Sequence, residues 1–174
     1  AMSLLGTGQL SLTKVMILVG PDCDPSDFRA VLRQVWHRFE PEDHLWLLPF
    51  APLDTLDFTS FKMHVGSKLV IDATGEILVP AAPPSVVDPR SFDGRIEDYR
   101  LLEGSLLALK VRHQAREVLQ RLVQEPLGVR IVAAVSGDVS LDDDENLQWG
   151  IFTRFDPARD MLFKEQVFIG ARPV

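Results

Sequence analysis

Residues 14–44 read KVMILVGPDCDPSDFRAVLRQVWHRFEPEDH, and the order of apolar and polar residues in this stretch decides the fold. The apolar run at residues 14–19 is rich in β-branched residues and ends at Gly20, which is typical of a strand buried on both faces of an α/β sheet. The next residues predict a helix with Asp24 as its N-cap and Pro25 at its first position. Apolar residues at spacings of three and four give this helix one face that packs on a sheet.

Two further strands follow this helix and complete the first unit. Pro41 ends the helix, and residues 45–48 predict a second strand that closes a β-α-β unit. Residues 69–71 predict a third strand, which ends at Asp72.

Residues 130–160 repeat residues 14–44 without a gap, at a constant offset of 116 positions. Six of the 31 aligned pairs are identical, whereas average residue usage gives about two by chance. The identical pairs are Val19/Val135, Asp22/Asp138, Asp27/Asp143, Arg38/Arg154, Phe39/Phe155 and Pro41/Pro157. We therefore predict an internal duplication. The second copy is expected to be truncated, because the counterpart of residues 66–74 would begin beyond Val174.

The predicted fold class is α/β, with a mostly parallel sheet built from the two duplicated β-α-β units. The first unit spans residues 1–79, and the second, truncated unit spans residues 127–174. A linker at residues 80–94 is predicted from its four prolines, which neither a helix nor a central strand tolerates. Residues 95–126 are predicted to form a long helix from their apolar spacing, with Pro126 closing it. All four segments are expected to form one compact domain.

Composition and charge exclude several classes of protein. The chain has 46% apolar and 25% charged residues, as is usual for a globular protein, and a formal net charge of −7. No basic run offsets that charge, so nucleic acid is not an expected partner. No stretch of 18 apolar residues predicts a membrane span, and the N-terminus lacks the pattern of a signal peptide. The single cysteine, Cys23, excludes an internal disulfide, and we expect a cytoplasmic protein.

Three basic residues are the candidates for a contact with an anion or with a neighbouring subunit. Arg38 and Arg154 stand at the ends of matching helices. Each could neutralise helix C-terminal carbonyls and pair with the next acid, or hold an anionic group or another subunit. Lys68 is the third candidate. The four histidines show no metal-ligand spacing, and the residues alone indicate an α/β domain of unknown function.

Four motifs of the first copy occur in an order that resembles a known family. They are the helix end Trp36-His37-Arg38-Phe39-Glu40-Pro41 and the stretches Pro52-Leu53-Asp54-Thr55-Leu56-Asp57-Phe58, Gly66-Ser67-Lys68 and Asp72-Ala73-Thr74. In this order they resemble the C-terminal domain of the UbiD-type decarboxylases, over residues 4–76. The second copy is similar over residues 149–160. A duplicated module resembles the longer members of the family, which include decarboxylases associated with menaquinone synthesis.

The resemblance implies a parent enzyme that removes CO2 from an aromatic or α,β-unsaturated carboxylic acid, with quinone biosynthesis as its pathway. Such an enzyme uses prenylated FMN and a divalent metal, and it holds both, with a catalytic Glu-Arg-Glu set, in the preceding domain. No segment of this chain matches that set, so no catalytic, cofactor-binding or metal-binding residue is transferred. The resemblance implies a non-catalytic domain that builds a homo-oligomer, closes one side of the pocket and contacts the preceding catalytic domain of the same polypeptide.

Two other functions stay open at this point. A free-standing binding or regulatory module would use the duplication to present two similar sites, with Arg38 and Arg154 as anion contacts. A small independent enzyme is the third hypothesis, although the sequence shows no nucleophile or acid–base constellation.

Overall fold

Two mixed sheets organise the protein, in a computed structural model that describes residues 1–79, 81–83, 85–164 and 166–173. The first sheet contains β1 (Val15–Val19), β2 (Leu45–Pro52) and β3 (Val65–Ala73). The second sheet contains β4 (Ile96–Leu102), β5 (Leu106–Val111), β6 (Ile131–Val135), β7 (Met161–Phe163) and β8 (Val167–Gly170). The helices are α1 (Met2–Leu5), α2 (Phe28–Arg38), α3 (Pro41–His44), α4 (Ala115–Leu122), α5 (Asp144–Phe152) and α6 (Pro157–Asp160). The predicted α/β class is confirmed.

The prediction of a mostly parallel sheet is wrong, because each copy contains an antiparallel strand. In the first sheet β1 runs parallel to β3 and β2 pairs antiparallel with β3, in the order β1-β3-β2. The loop 53–64 contains no helix and returns the chain directly from β2 to its neighbour β3. An apolar run does not encode strand direction, and a short connection without a helix favours an antiparallel neighbour.

The second copy has the same three-strand arrangement as the first. β6 runs parallel to β8 and β7 pairs antiparallel with β8, in the order β6-β8-β7. The registers also correspond, since Val15 pairs with Leu69 and its counterpart Ile131 pairs with Val167. The expected truncation is therefore wrong, because β8 takes the place of β3. It comes early in the chain because only residues 164–166 separate β7 from β8.

The long helix predicted over residues 95–126 is the largest error. Residues 96–111 form the antiparallel hairpin β4–β5, and only Ala115–Leu122 is an α-helix. Leucines at positions 102, 106 and 109 follow helical spacing. Strands covered on both faces, as β5 is, lose the alternation that would identify them. The hairpin adds to β6 through a parallel pairing and extends the second sheet to five strands.

A tight turn at Glu103-Gly104 is the signal for this hairpin that the apolar spacing obscured. Both residues have positive φ, 48° and 70°, as a type I′ turn requires. The backbone N–H of Ser105 donates to Leu102 O at 3.0 Å and closes the turn. A Cβ at Gly104 would lie 2.0 Å from Pro83 Cβ, so the position admits only glycine. Gly inside a helix costs about 1 kcal/mol relative to Ala, which argues against the helix.

Helices α2 and α5 begin at equivalent aspartates. The side chain of Asp27 accepts hydrogen bonds from two backbone N–H groups of α2, at 2.9 and 3.1 Å. Asp143 caps α5 in the same way. The predicted N-cap, Asp24, lies one turn earlier and instead accepts hydrogen bonds from Ser26, so Pro25 stands in a turn and not in the helix.

One apolar core is shared by both copies. Its buried members come from both sheets and from α2 and α5. They include Leu32, Val35, Phe39, Leu69 and Ile71 of the first copy and Ile131, Ala133, Leu147, Ile151, Phe155 and Ile169 of the second. A second cluster fills the space between α4 and the opposite face of the second sheet. Because the first core is common to both copies, the two units stabilise each other.

The predicted linker, residues 80–94, lies partly outside the described residues, which do not include Pro80 and Pro84. Its last part forms a 3-10 turn at Pro89–Ser91. Asp93 follows this turn and is almost completely buried. Its carboxylate accepts from Arg95 Nη2 at 2.8 Å and from Arg95 Nε at 3.0 Å. These hydrogen bonds from Arg95 lower the pKa of Asp93 to about 2.

We expect Asp93→Asn to lower the free energy of unfolding by about 1–2 kcal/mol near neutral pH, because an amide weakens the bonds from Arg95. The pKa of Asp93 is about 2 in the folded protein, against an ordinary value of 3.8. Its stabilising contribution is therefore complete above about pH 4 and is lost as the pH falls toward about 2.

Urea unfolding of both proteins across this pH range measures the effect. Asp98→Asn, at an exposed position of the strand β4 that follows Asp93, is the control and is expected to change stability little. The prediction would be contradicted if Asp93→Asn lowered the free energy of unfolding as much near pH 2 as near neutral pH.

Candidate functional site

The junction between the two copies contains the buried polar residues Thr59, Ser67 and Asp156. Two cations at equivalent positions also lie there. Lys14 precedes β1 and Arg130 precedes β6. Lys14 Nζ donates to Thr153 O at 2.9 Å, at the end of α5, and Arg130 Nε donates to Trp36 O at 3.3 Å, near the end of α2. Each cation therefore stabilises the carbonyl end of the other copy's helix.

Lys14 also forms a largely buried ion pair with Asp57, at 2.7 Å. Asp57 accepts from Thr59 N at 2.8 Å, and the Thr59 hydroxyl lies 3.1 Å from Phe155 O in the second copy. Burial lowers the pKa of Lys14, against the opposing effect of Asp57. Burial also tends to raise the pKa of Asp57, but the hydrogen bonds from Lys14 and Thr59 outweigh it and hold that pKa below its ordinary value.

A second buried contact joins β3 to the start of α6. Asp156 is fully buried, and its carboxylate accepts from Ser67 N at 3.2 Å and from Ser67 Oγ at 2.8 Å. The Ser67 hydroxyl accepts in turn from Ala158 N at 2.8 Å. Gly66 makes this approach possible, because a Cβ there would lie 2.4 Å from Leu53 Cδ1 and 3.2 Å from Asp156 Oδ2.

Lys68, one of the three predicted candidates, is buried and not directed to solvent. Its exposed fraction is 2%, and its Nζ donates to Ser11 O and to Thr13 O, each at 2.7 Å. Burial lowers the pKa of Lys68. In this position the side chain holds the segment that leads into β1.

The two candidate arginines occupy matching ion pairs, one in each copy. Arg38 Nη2 lies 3.6 Å from Asp22, and Arg154 Nη1 lies 2.7 Å from Asp138, the position equivalent to Asp22. Hydrogen bonds from Ser136 and Arg154 lower the pKa of Asp138. Within the part of the chain that the structure describes, these arginines and Lys68 share no partner, so the three candidates do not form one site there. Their role as interface or anion contacts stays a prediction.

A cleft of about 660 Å³ lies between α2 and the loop that follows α4. The Arg130 guanidinium lies 5.4 Å from the centre of the Trp36 ring and 3.2 Å from Glu40. Glu125 and Lys164 also line the cleft. Its charges are mixed in sign and Arg130 is already paired, so the cleft favours no single class of ligand.

The junction residues were missed as a group by reasoning from the sequence. Asp57 and Ser67 stand inside the motifs that carried the family resemblance, which is the signal that marks them. Lys14 ends the stretch 11–14, which enters the first strand and also carries the resemblance, but no partner was predicted for it. Nothing in the sequence pairs Ser67 with Asp156, because 88 residues separate them along the chain.

The described residues do not fit a divalent metal. Within residues 1–79, 81–83, 85–164 and 166–173, no three His, Cys, Asp or Glu side chains come together in a way that could hold a metal ion. In the same described part of the protein, no helix has the length and apolar character needed to cross a membrane.

The fold and the junction define the class of this protein as a duplicated α/β domain whose polar motif residues join its two copies. A family profile described as the 3-octaprenyl-4-hydroxybenzoate carboxy-lyase C-terminal domain matches residues 1–73 and 95–170. Because these matches cover most of the chain, the chain belongs to this family. The resemblance to the C-terminal domain of the UbiD-type decarboxylases is confirmed.

Relatives of this chain are much longer than it is. A protein of Chlamydia pneumoniae, named as one of the subunits of 4-hydroxybenzoate decarboxylase, is 25% identical over 99% of this chain and 30% of its own length. An uncharacterised protein of Archaeoglobus fulgidus is 40% identical over 41% of this chain and 15% of its own length. The chain thus spans less than a third of the length of these relatives.

Two solved enzyme structures show a partial likeness to this chain. Vanillic acid decarboxylase of Sedimentibacter hydroxybenzoicus is 24% identical, over 51% of this chain and 19% of that one, with a TM-score of 0.42. The UbiD-class enzyme HmfF of Pelotomaculum thermopropionicum, in an evolved dimeric form solved with prFMN, is 20% identical over 49% of this chain and 23% of that one, with a TM-score of 0.43.

We expect Asp156→Ala to lower the free energy of unfolding by about 2–3 kcal/mol, because it leaves the buried N–H of Ser67 without its acceptor. Glu40→Ala is the matched control, at the equivalent position of the first copy. Glu40 is partly exposed and pairs with Arg130 at the cleft, so its loss should cost no more than about 1 kcal/mol. Thermal and urea unfolding measure the stability of both variants. Equal losses of unfolding free energy would show that the burial of Asp156 does not contribute to stability.

Proposed function

We propose that this chain is the non-catalytic C-terminal assembly domain of a UbiD-type decarboxylase, which also closes one side of the parent enzyme's pocket. The parent enzyme would remove CO2 from an aromatic or α,β-unsaturated carboxylic acid in the cytoplasm, in quinone biosynthesis. The observation that carries the proposal is the use of the motif residues. Lys14 and Ser67 bind groups of the second copy directly, and Asp57 pairs with Lys14, so these three residues help to hold the two copies together. Lys68 binds the segment that leads into β1.

The family and the relatives support the decarboxylase part of the proposal. The family is described by its place at the C-terminus of a carboxy-lyase. The Chlamydia pneumoniae relative is named for 4-hydroxybenzoate decarboxylation, and this chain aligns with 30% of its length. The preceding catalytic domain of the same polypeptide is the partner that the proposal requires, with a homo-oligomer as the assembled form.

The proposal assigns the chemistry to the preceding part of the polypeptide. Prenylated FMN would supply an electron sink for the decarboxylation, and the preceding domain would hold both this cofactor and a divalent metal. The residues described for this chain would contribute the rigid surface on which that domain packs.

Three proteins test this proposal: the full-length decarboxylase loaded with prenylated FMN, its catalytic region alone, and the 174-residue chain alone. We expect CO2 release from an aromatic acid by the full-length protein, none by the 174-residue chain, and at least a tenfold loss in the catalytic region alone. Light scattering should show that the catalytic region alone no longer forms the oligomer. A catalytic region that keeps both its oligomer and its rate would overturn the proposal.

A binding or regulatory module is the second candidate, and one atom favours it. Arg154 Nε is buried and has no hydrogen-bond partner among the described residues, although the same guanidinium pairs with Asp138. Titration of the chain with benzoate, followed by calorimetry, separates the two functions. The assembly domain predicts no saturable binding, whereas binding that is lost in both Arg38→Ala and Arg154→Ala would favour the module.

A further inference from the structure

The first strands of the two copies differ in burial although they occupy equivalent positions. All five residues of β6 are buried, whereas all five residues of β1 are only partly buried. The two strands have the same length and the same apolar character. The difference therefore comes from what lies beside each strand.

In the second copy a parallel strand covers the outer edge of β6. β5 pairs with β6 so that Leu106 lies beside Ile131 and Ala108 beside Ala133. The backbone N–H of Ile131 donates across this edge to Ser105 O at 2.8 Å. β6 is thus a central strand, with hydrogen-bonded neighbours on both sides.

In the first copy the equivalent edge of β1 has no strand beside it among the described residues, where β1 pairs with β3 alone. Lys14 O accepts from Leu69 N at 2.9 Å, so the backbone groups of alternate residues, Met16 and Leu18 included, face β3. The backbone groups of Val15 and Ile17 then face the open edge. An unpaired edge of this kind is a template for another strand.

An apolar hollow of about 280 Å³ lies beside this open edge, lined by Val15, Ile17, Phe28 and Phe152 among others. Two other residues that line the hollow are equivalent to residues that the β4–β5 hairpin contacts beside the second copy. There Ser105 Oγ donates to Leu32 O and Arg100 donates to Leu141 O.

The positions equivalent to Leu32 and Leu141 are Gln148 and Pro25, and both line the hollow. The hollow is therefore the space that Leu106 and Ala108 fill in the other copy, where both are part of the shared core.

We propose that the edge of β1 and this hollow form a docking site for a parallel β-strand with small apolar side chains on its inner face. We assign the strand to the segment directly before residue 1 in the longer polypeptide, so the inference rests on the proposed function. The repeat supports this occupant. When the two copies are aligned at the offset of 116 positions, α1 aligns with the second half of α4. The counterpart of the hairpin would then lie roughly 5 to 20 residues upstream of residue 1.

Amide hydrogen exchange tests the proposal, in the 174-residue chain and in the same chain within its full-length polypeptide. The amides of Val15 and Ile17 should exchange rapidly in the short chain and become protected about 100-fold in the long one. Met16 and Leu18, which bond to β3, should be protected in both. Ile131, at the covered edge of β6, is the internal control and should not change.

Each outcome bears on a different claim. Full-length protein in which Val15 and Ile17 still exchange rapidly overturns this inference and leaves the proposed function intact. A reading frame that begins at residue 1 overturns both. Protection of these amides in the short chain that rises with protein concentration, together with a dimer in light scattering, overturns the assigned occupant, because a second copy would then cover the edge.

Discussion

The carboxylate of Asp156 is buried between the two copies, and a buried charge is stable only where donors surround it. Ser67 supplies two of these donors from β3, the strand that lies in the middle of the first sheet. The contact forms only because Gly66 leaves space for Leu53 and for the carboxylate. This contact holds the start of α6 against β3 and acts together with the apolar core that the two copies share.

The junction also gives a physical meaning to the motifs by which the family was identified. Asp57 orients Lys14, Lys14 reaches the end of α5, and Lys68 ties down the segment before β1. All of these groups are charged and nearly removed from water, where losing a partner costs more than an exposed contact would. Such residues are expected to persist in a family for structural reasons, even where they take no part in the reaction.

The sequence predicted well those elements that are defined by the pattern of neighbouring residues. The apolar run of β1, the helix α2 and the duplication were all visible in residues 14–44 and 130–160. Strand direction and the β4–β5 hairpin were not, because a strand covered on both faces has no alternation to detect. The candidate arginines pair with acids, but with Asp22 and Asp138 at the preceding strand ends and not with the next acid along the chain. Contacts across the junction depend on the tertiary fold and have no local signature.

Lys14 binds the end of the helix in the second copy, and Arg130 binds the end of the helix in the first copy. This reciprocal arrangement has a consequence for the origin of the domain. Two identical chains related by a two-fold axis would make one such contact twice, once in each direction. The domain thus has the organisation of a homodimer whose subunits became one polypeptide. Fusion removes the requirement that both halves carry the same residue, since each position then changes by itself. Asp156 lies buried in one half while its counterpart Glu40 stays at the rim of a cleft, an asymmetry that a symmetric dimer could not encode.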